Sequence, residues 1–197
     1  MQNVLVDQIY QMPAGSVFSA ANFRDLAQRN TIDQTLLRLT KRGSIQKLAT
    51  GLFCVPKHHH IIGNIPPSVD GMVQAYAHKF SYHIQISPAK AANILGLSQH
   101  VPAKHIYLTD GPNRSIVLGG VKITLKHVCP KKLIGINTKA GMVVQALYCF
   151  GNKGITDQII AKIRRMLDNK DTKLLASWLG LMPGWMQAIV AKDILNA

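Results

Sequence analysis

With 197 residues, 47% of them hydrophobic, the chain has enough apolar content for a buried core, which excludes a disordered tail. No apolar run approaches the roughly eighteen uncharged residues of a membrane-spanning helix. The formal net charge is +14, every acid is an aspartate, and cations outnumber acids both in residues 1–60 (seven to three) and in the remainder (sixteen to six), a spread that draws a protein to polyanions.

The N-terminus, MQNVLVDQIYQMPAG, has no basic leader, and Asp7 interrupts its apolar residues. It reads as a helix start rather than a signal peptide, so a cytoplasmic protein is expected. Val4, Leu5, Ile9 and Met12 predict a helix over 3–12, closed by Pro-Ala-Gly. A short extended stretch, SVFS, follows, and Ser19 is placed to N-cap a second helix, AANFRDLAQ. Thr31 and Gln34 supply the T-x-x-Q of a capping box that opens a third helix, with Asp33 in its first turn. At about 100° per residue, Ile32, Leu36 and Leu39 make an apolar stripe, while Gln34, Leu37, Arg38 and Lys41 fall opposite. Gly43 is a natural C-cap. SIQKLATGLFCV then alternates around Ala-Thr-Gly as a hairpin does.

Three helices and a hairpin in this order are a winged helix-turn-helix over residues 1–56. In that fold the third helix enters the major groove of double-stranded DNA and the hairpin lies along the flanking backbone. Arg38, Lys41, Arg42 and Lys47 then neutralise phosphates, while Asn30, Thr31 and Gln34 reach base edges, where Asn and Gln pair well with adenine. A plainer reading of the same residues spends Gln34 on the capping box and makes the unit a protein-binding module. Residues 57–68, with His58, His59, His60 and the Pro66-Pro67 pair, read as a linker. Adjacent histidines in a linker rarely supply the geometry of a metal site, and no metal is expected.

Residues 69–197 predict a mixed α+β domain. A helix capped by Ser68 leads to the strand SYHIQIS and a short helix from Pro88. Three strands in HIYLTDGPNRSIVLGGVKITLKHV are separated by DGPN and GG turns, and from about residue 138 the pattern is a helical C-terminal lobe. Asp110 is the residue a catalytic reading selects, but Asp-Gly-Pro-Asn is a strong turn signal in its own right. The sequence has no P-loop, G-x-S-x-G, H-E-x-x-H or Cys-x-x-Cys. Its aspartates are scattered where a metal-dependent nuclease needs them clustered. Cys54, Cys129 and Cys149 are odd in number and widely spaced, which argues against a disulfide framework and reads as buried thiols. Neither catalysis nor a cofactor is expected. A membrane partner is not expected either, since no long Lys-rich helix has a Trp/Phe/Leu face.

Two strings, VFSAANFRDLAQRNTIDQTLLRLTKRGSIQKLATGLFCVPK and SPAKAANILGLSQHVPAKHIYLTDGPNRSIVLGGVKITLKHVCPKKL, resemble the bacterial abortive-infection type E antitoxin family. The resemblance runs over nearly the whole chain, and QALYCFG and PGWM fit it too. It implies the antitoxin half of a type IV toxin–antitoxin pair. The winged domain of such a protein binds repeats in its own promoter and represses it; the C-terminal domain counteracts a nucleotidyltransferase-like toxin without a stable complex. Carried over by position, the resemblance puts DNA contacts on Thr31, Gln34, Arg38, Lys41, Arg42 and Lys47. It also marks the string YLTDGPNR, with Tyr107, Thr109, Asp110 and Arg114, as a motif of the antitoxin domain. The alternatives are a stand-alone transcriptional regulator, or a nucleic-acid-processing or RNA-binding factor guided by the winged module.

Overall fold

The structure, a computed structural model, describes residues 2–61 and 63–195. The fold is mixed α+β, and among the described residues no helix is long and apolar enough to cross a membrane. The chain forms two compact units, one of Met1–Tyr82 with Ile116–Ile123 and the other of His83–Ser115 with Thr124–Ala197. The sequence expects a division around residues 57–68; by packing, the helix that follows those residues belongs to the first unit and not the second.

In the first unit, helix α1 (Gln2–Gln11) precedes strand β1 (Val17–Ser19), a 3-10 turn (Ala20–Phe23), helix α2 (Arg29–Lys41) and strands β2 (Gln46–Ala49) and β3 (Leu52–Cys54). The three strands form an antiparallel sheet in the order β1-β3-β2, with Val17 and Gln46 both opposite Cys54. Leu5 and Ile9 of α1, Phe18, Phe23, Ile45, and the stripe Ile32, Leu36 and Leu39 of α2 bury themselves in one core. Phe18 meets Phe23 edge-on at 5.6 Å between ring centroids and stacks on Phe53 at 6.1 Å, geometries aromatic pairs favour.

The predicted second helix is only one 3-10 turn. Ser19 does cap it, accepting from Ala21 N, but Asn22 spends its side chain accepting from Ser19 N, and Leu26 N bonds back to Phe23 O instead of continuing a helix. Residues 57–68 are more ordered than a linker: β4 (Lys57–His59) pairs antiparallel with β5 (Gly63–Ile65), and the rings of His59 and His60 stack at 4.5 Å. Among the described residues no group of three or more His, Cys, Asp or Glu is placed to hold a metal ion. Helix α3 (Val69–Phe80) is capped by Ser68 as expected, buries Met72, Val73 and Tyr76, and sends Lys79 Nζ to the Thr50 carbonyl at the β2–β3 turn, 2.5 Å away.

The second unit contains β6 (Ile84–Ile86), α4 (Pro88–Ile94) and β7 (His105–Thr109). With β8 (Arg114–Leu118) and β9 (Val121–His127), β6 and β7 form a sheet in the order β6-β7-β9-β8. The DGPN turn thus joins strands that are not neighbours, and β9 inserts between them. The helical lobe comprises α5 (Lys139–Gly154), α6 (Asp157–Met166), α7 (Asn169–Ser177) and α8 (Gly184–Ile189), followed by a π-helical turn over Val190–Leu195. Thr138, Thr156 and Asp168 cap α5, α6 and α7 with their side chains. Val143, Val144, Leu147, Ile163, Leu175 and Met186 are the centre of the lobe's core. Of the three cysteines only Cys54 is buried. Cys129 precedes the surface turn at Pro130 and Cys149 lies on the outer side of α5, so the expectation of three buried thiols is corrected.

Candidate nucleic-acid interface

Helix α2 starts three residues earlier than its sequence suggests, at an N-cap of Gln28 instead of Thr31. Gln28 is its N-cap residue, in extended conformation with no side-chain cap, and Arg29 Nε binds Asp33 Oδ2 at 2.7 Å across the first turn. The expected Thr31–Gln34 capping box is therefore absent: Thr31 lies inside the helix, half-buried, and Asp33 is beyond the first turn. An i,i+4 ion pair of Arg and Asp supports the earlier start. This correction matters for the site, because Gln34, freed from capping, is exposed on the outer face. The C-terminus is as read. Gly43, with φ +73°, donates to Thr40 O while Ser44 N reaches Leu39 O, the paired bonds of a Schellman cap.

Between these ends the two faces of α2 separate cleanly. Ile32, Thr35, Leu36 and Leu39 are buried; Asn30, Gln34, Leu37, Lys41 and Arg42 are exposed, and Arg38 is half-buried. Gln34, Leu37, Arg38, Lys41 and Arg42 line one hollow of about 410 Å3. Arg38 Nε is closed off from solvent and has no hydrogen-bond partner, so any bond Arg38 makes to a ligand must come from its terminal nitrogens. Arg38 and Lys41 also occupy the last turn, where cations complement the negative end of the helix. The only acid on the helix, Asp33, is held by Arg29, leaving the hollow lined by amide, cationic and aliphatic groups.

The structure brings together four of the seven residues expected at DNA: Gln34, Arg38, Lys41 and Arg42. Asn30 and Thr31 lie a turn earlier on the same helix and do not line the hollow. Lys47 is exposed on β2 but belongs to a different hollow, of about 340 Å3, with Asn64, Pro66, Met72 and Gly120. Leu37, which the helical wheel puts on this face, is absent from the expected set, because exposed leucines carry no polar signal.

The YLTDGPNR residues are arranged differently from a binding surface. Tyr107 and Thr109 of β7 are 1% and 0% exposed. Lys90 Nζ donates to the Tyr107 hydroxyl at 2.8 Å and sits 4.8 Å above its ring, while Thr109 Oγ1 accepts from Gly111 N at 3.0 Å. Asp110 accepts twice from one residue: Oδ1 from His83 N at 2.8 Å and Oδ2 from His83 Nδ1 at 2.6 Å. Burial pushes the pKa of this carboxyl up, but the His83 bonds and charge outweigh it and hold it below the usual aspartate value. Asn113 Oδ1 accepts from His127 N, and the His127 ring donates through Nδ1 to Gly111 O. Arg114 is exposed at the start of β8. Thr109 and Asp110 thus fasten the start of the turn between β7 and β8, while Tyr107 is tied to Lys90 of α4.

Residues 4–175 match a family described as a family of unknown function, DUF6088. No curated protein matches the chain. Among solved structures it is similar to the crystal structure of the RV2827C protein from Mycobacterium tuberculosis, at 15% identity and a TM-score of 0.41, covering 96% of this chain and 80% of that one.

Proposed function

Since the chain belongs to the DUF6088 family, whose function is unknown, we propose its function from its geometry: the first unit is a winged helix-turn-helix that binds double-stranded DNA. Helix α2 enters the major groove and the β2–β3 hairpin is the wing. The observation that carries this reading is the outer face of α2, where Gln34, Arg38, Lys41 and Arg42 share one hollow on the side opposite the buried stripe. The order α1, β1, 3-10 turn, α2, β2, β3 and the sheet order β1-β3-β2 support it, as does a net charge of +14.

The resemblance to abortive-infection type E antitoxins supports the rest of the proposal. The protein represses its own promoter through DNA repeats and counteracts a nucleotidyltransferase-like toxin through its second unit, without catalysis of its own. The engagement of both Asp110 oxygens by His83 supports the non-catalytic part.

The test is binding of the full-length protein to the duplex upstream of its gene, as a function of salt. Arg38→Ala and Lys41→Ala each lower the slope of log affinity against log salt by about 0.9, the contribution of one neutralised phosphate. Variants with the wild-type slope and affinity refute the assignment of α2. Co-expression with the adjacent gene tests the antitoxin half separately: relief of growth arrest supports it, and arrest that persists removes it while leaving the DNA result standing.

A further inference from the structure

Leu37 is 57% exposed in the middle of the outer face of α2. A lone exposed leucine needs no explanation by itself. This one lines the hollow whose other lining residues, Gln34, Arg38, Lys41 and Arg42, all end in amide or cationic groups. It also follows Gln34 by three positions, so the two side chains are neighbours, about 4.5 Å apart along the axis. On a helix lying in the major groove, residues three apart contact successive bases, so the two address one pair or adjacent pairs.

In the major groove an A·T pair offers two features that this duo matches. The N6 and N7 of adenine take the two ends of a Gln amide, and the C5 methyl of thymine is the one apolar group any base edge presents there. A leucine brought against a duplex face that is otherwise polar and anionic strips water from groups it cannot hydrogen-bond, a cost that is avoided where it meets that methyl. We propose that Leu37 is a specificity-determining residue that reads a thymine methyl at or beside the A·T pair contacted by Gln34. The inference rests on α2 being the groove-entering helix, and it names what that helix reads.

The experiment selects duplexes from a random DNA pool with the full-length protein, then compares one selected duplex made with thymine and with uracil, which lacks only the methyl. Wild type binds the thymine duplex about fourfold tighter, the value of one buried methyl group. Uracil at a single position reproduces that loss. Leu37→Ala, a favourable helix substitution at an exposed site, binds both duplexes equally and at the level of wild type on uracil. Equal wild-type binding to the two duplexes, or discrimination that survives in Leu37→Ala, overturns the Leu37 assignment while the groove-entering role of α2 stands. Failure of the pool to enrich any sequence overturns both. A change in sedimentation of Leu37→Ala, with thymine and uracil still equivalent for wild type, makes Leu37 a contact between copies and also overturns the proposal.

Discussion

At Asp110 the two carboxylate oxygens are occupied by the backbone and ring nitrogens of His83, 27 positions earlier, so the side chain ties the start of β6 to the end of β7. Asp110→Ala removes the acceptor of a backbone N–H and costs roughly 1 kcal/mol at neutral pH. Most of that comes from the backbone bond, because His83 is 70% exposed and the charge interaction is screened by solvent. The pH dependence has a definite sign. The folded carboxyl titrates below the ordinary 3.8, so its stabilisation is fully present above that value and is lost as pH falls through the lower folded one. The stability difference between wild type and Asp110→Ala, followed by urea unfolding from neutral to acidic pH, therefore narrows as pH falls below about 3.8 and keeps its full size above it. A separation independent of pH contradicts the ion pair. The turn at Asp110 is written in its residue types, since Asp-Gly-Pro-Asn has little choice but to turn. The partner is not, because nothing local to His83 distinguishes it from the seven other histidines of the chain.

Helix ends show the same contrast between local and distant causes. The stop of α2 is legible because one glycine satisfies it: Gly43 takes a positive φ that other residues resist. Its start is misread because two local devices compete, a T-x-x-Q box and an Arg29–Asp33 pair, and the ion pair holds the earlier turn. The β4–β5 hairpin escapes the sequence because a three-residue strand of Lys-His-His has neither alternation nor β-branched residues to announce it. Close approach of elements is equally silent until coordinates exist. In α5, a Cβ at Gly141 meets Gly135 O at 1.9 Å and other backbone atoms of Gly135 within 3 Å, so the preceding loop lies directly on the helix. Gly141→Ala cannot be absorbed by a side-chain shift, and it destabilises the lobe by about 3 kcal/mol or more. Gly184→Ala, in α8 with nothing near its added Cβ, is the control; it is neutral or stabilising by up to about 1 kcal/mol. Chemical denaturation of the two variants beside wild type checks both, and equal midpoints for Gly141→Ala would falsify the contact.

On the scale of the molecule, the sequence reading of two consecutive domains meets a fold whose units are not consecutive. Residues 116–123 count with the first unit although they follow β7 of the second. Composition shifts and proline-rich stretches reveal only where a chain passes once from one unit to another. A short excursion through Gly119 and Gly120 leaves no such mark. In the first unit, Gly119 N bonds to Leu48 O at 3.2 Å, and the space a Cβ would take at Gly119 is bounded by Met72 Sδ and Leu48. The excursion also carries Leu118 and Ile123, 2% and 0% exposed. A fragment ending at residue 82 keeps α1, α2 and α3 but lacks this segment. Burying a Leu or Ile side chain is worth about 2 kcal/mol, so losing the segment costs the fragment roughly 2 to 4 kcal/mol relative to the same unit in the whole chain. Amide hydrogen exchange in the core of α2, at Leu36 and Leu39, reads this directly, since those amides open only with the unit. Protection there falls by roughly 1.5 to 3 orders of magnitude in the fragment if the excursion supports the unit. Unchanged protection means that residues 1–82 are self-sufficient and that the excursion adds nothing to them.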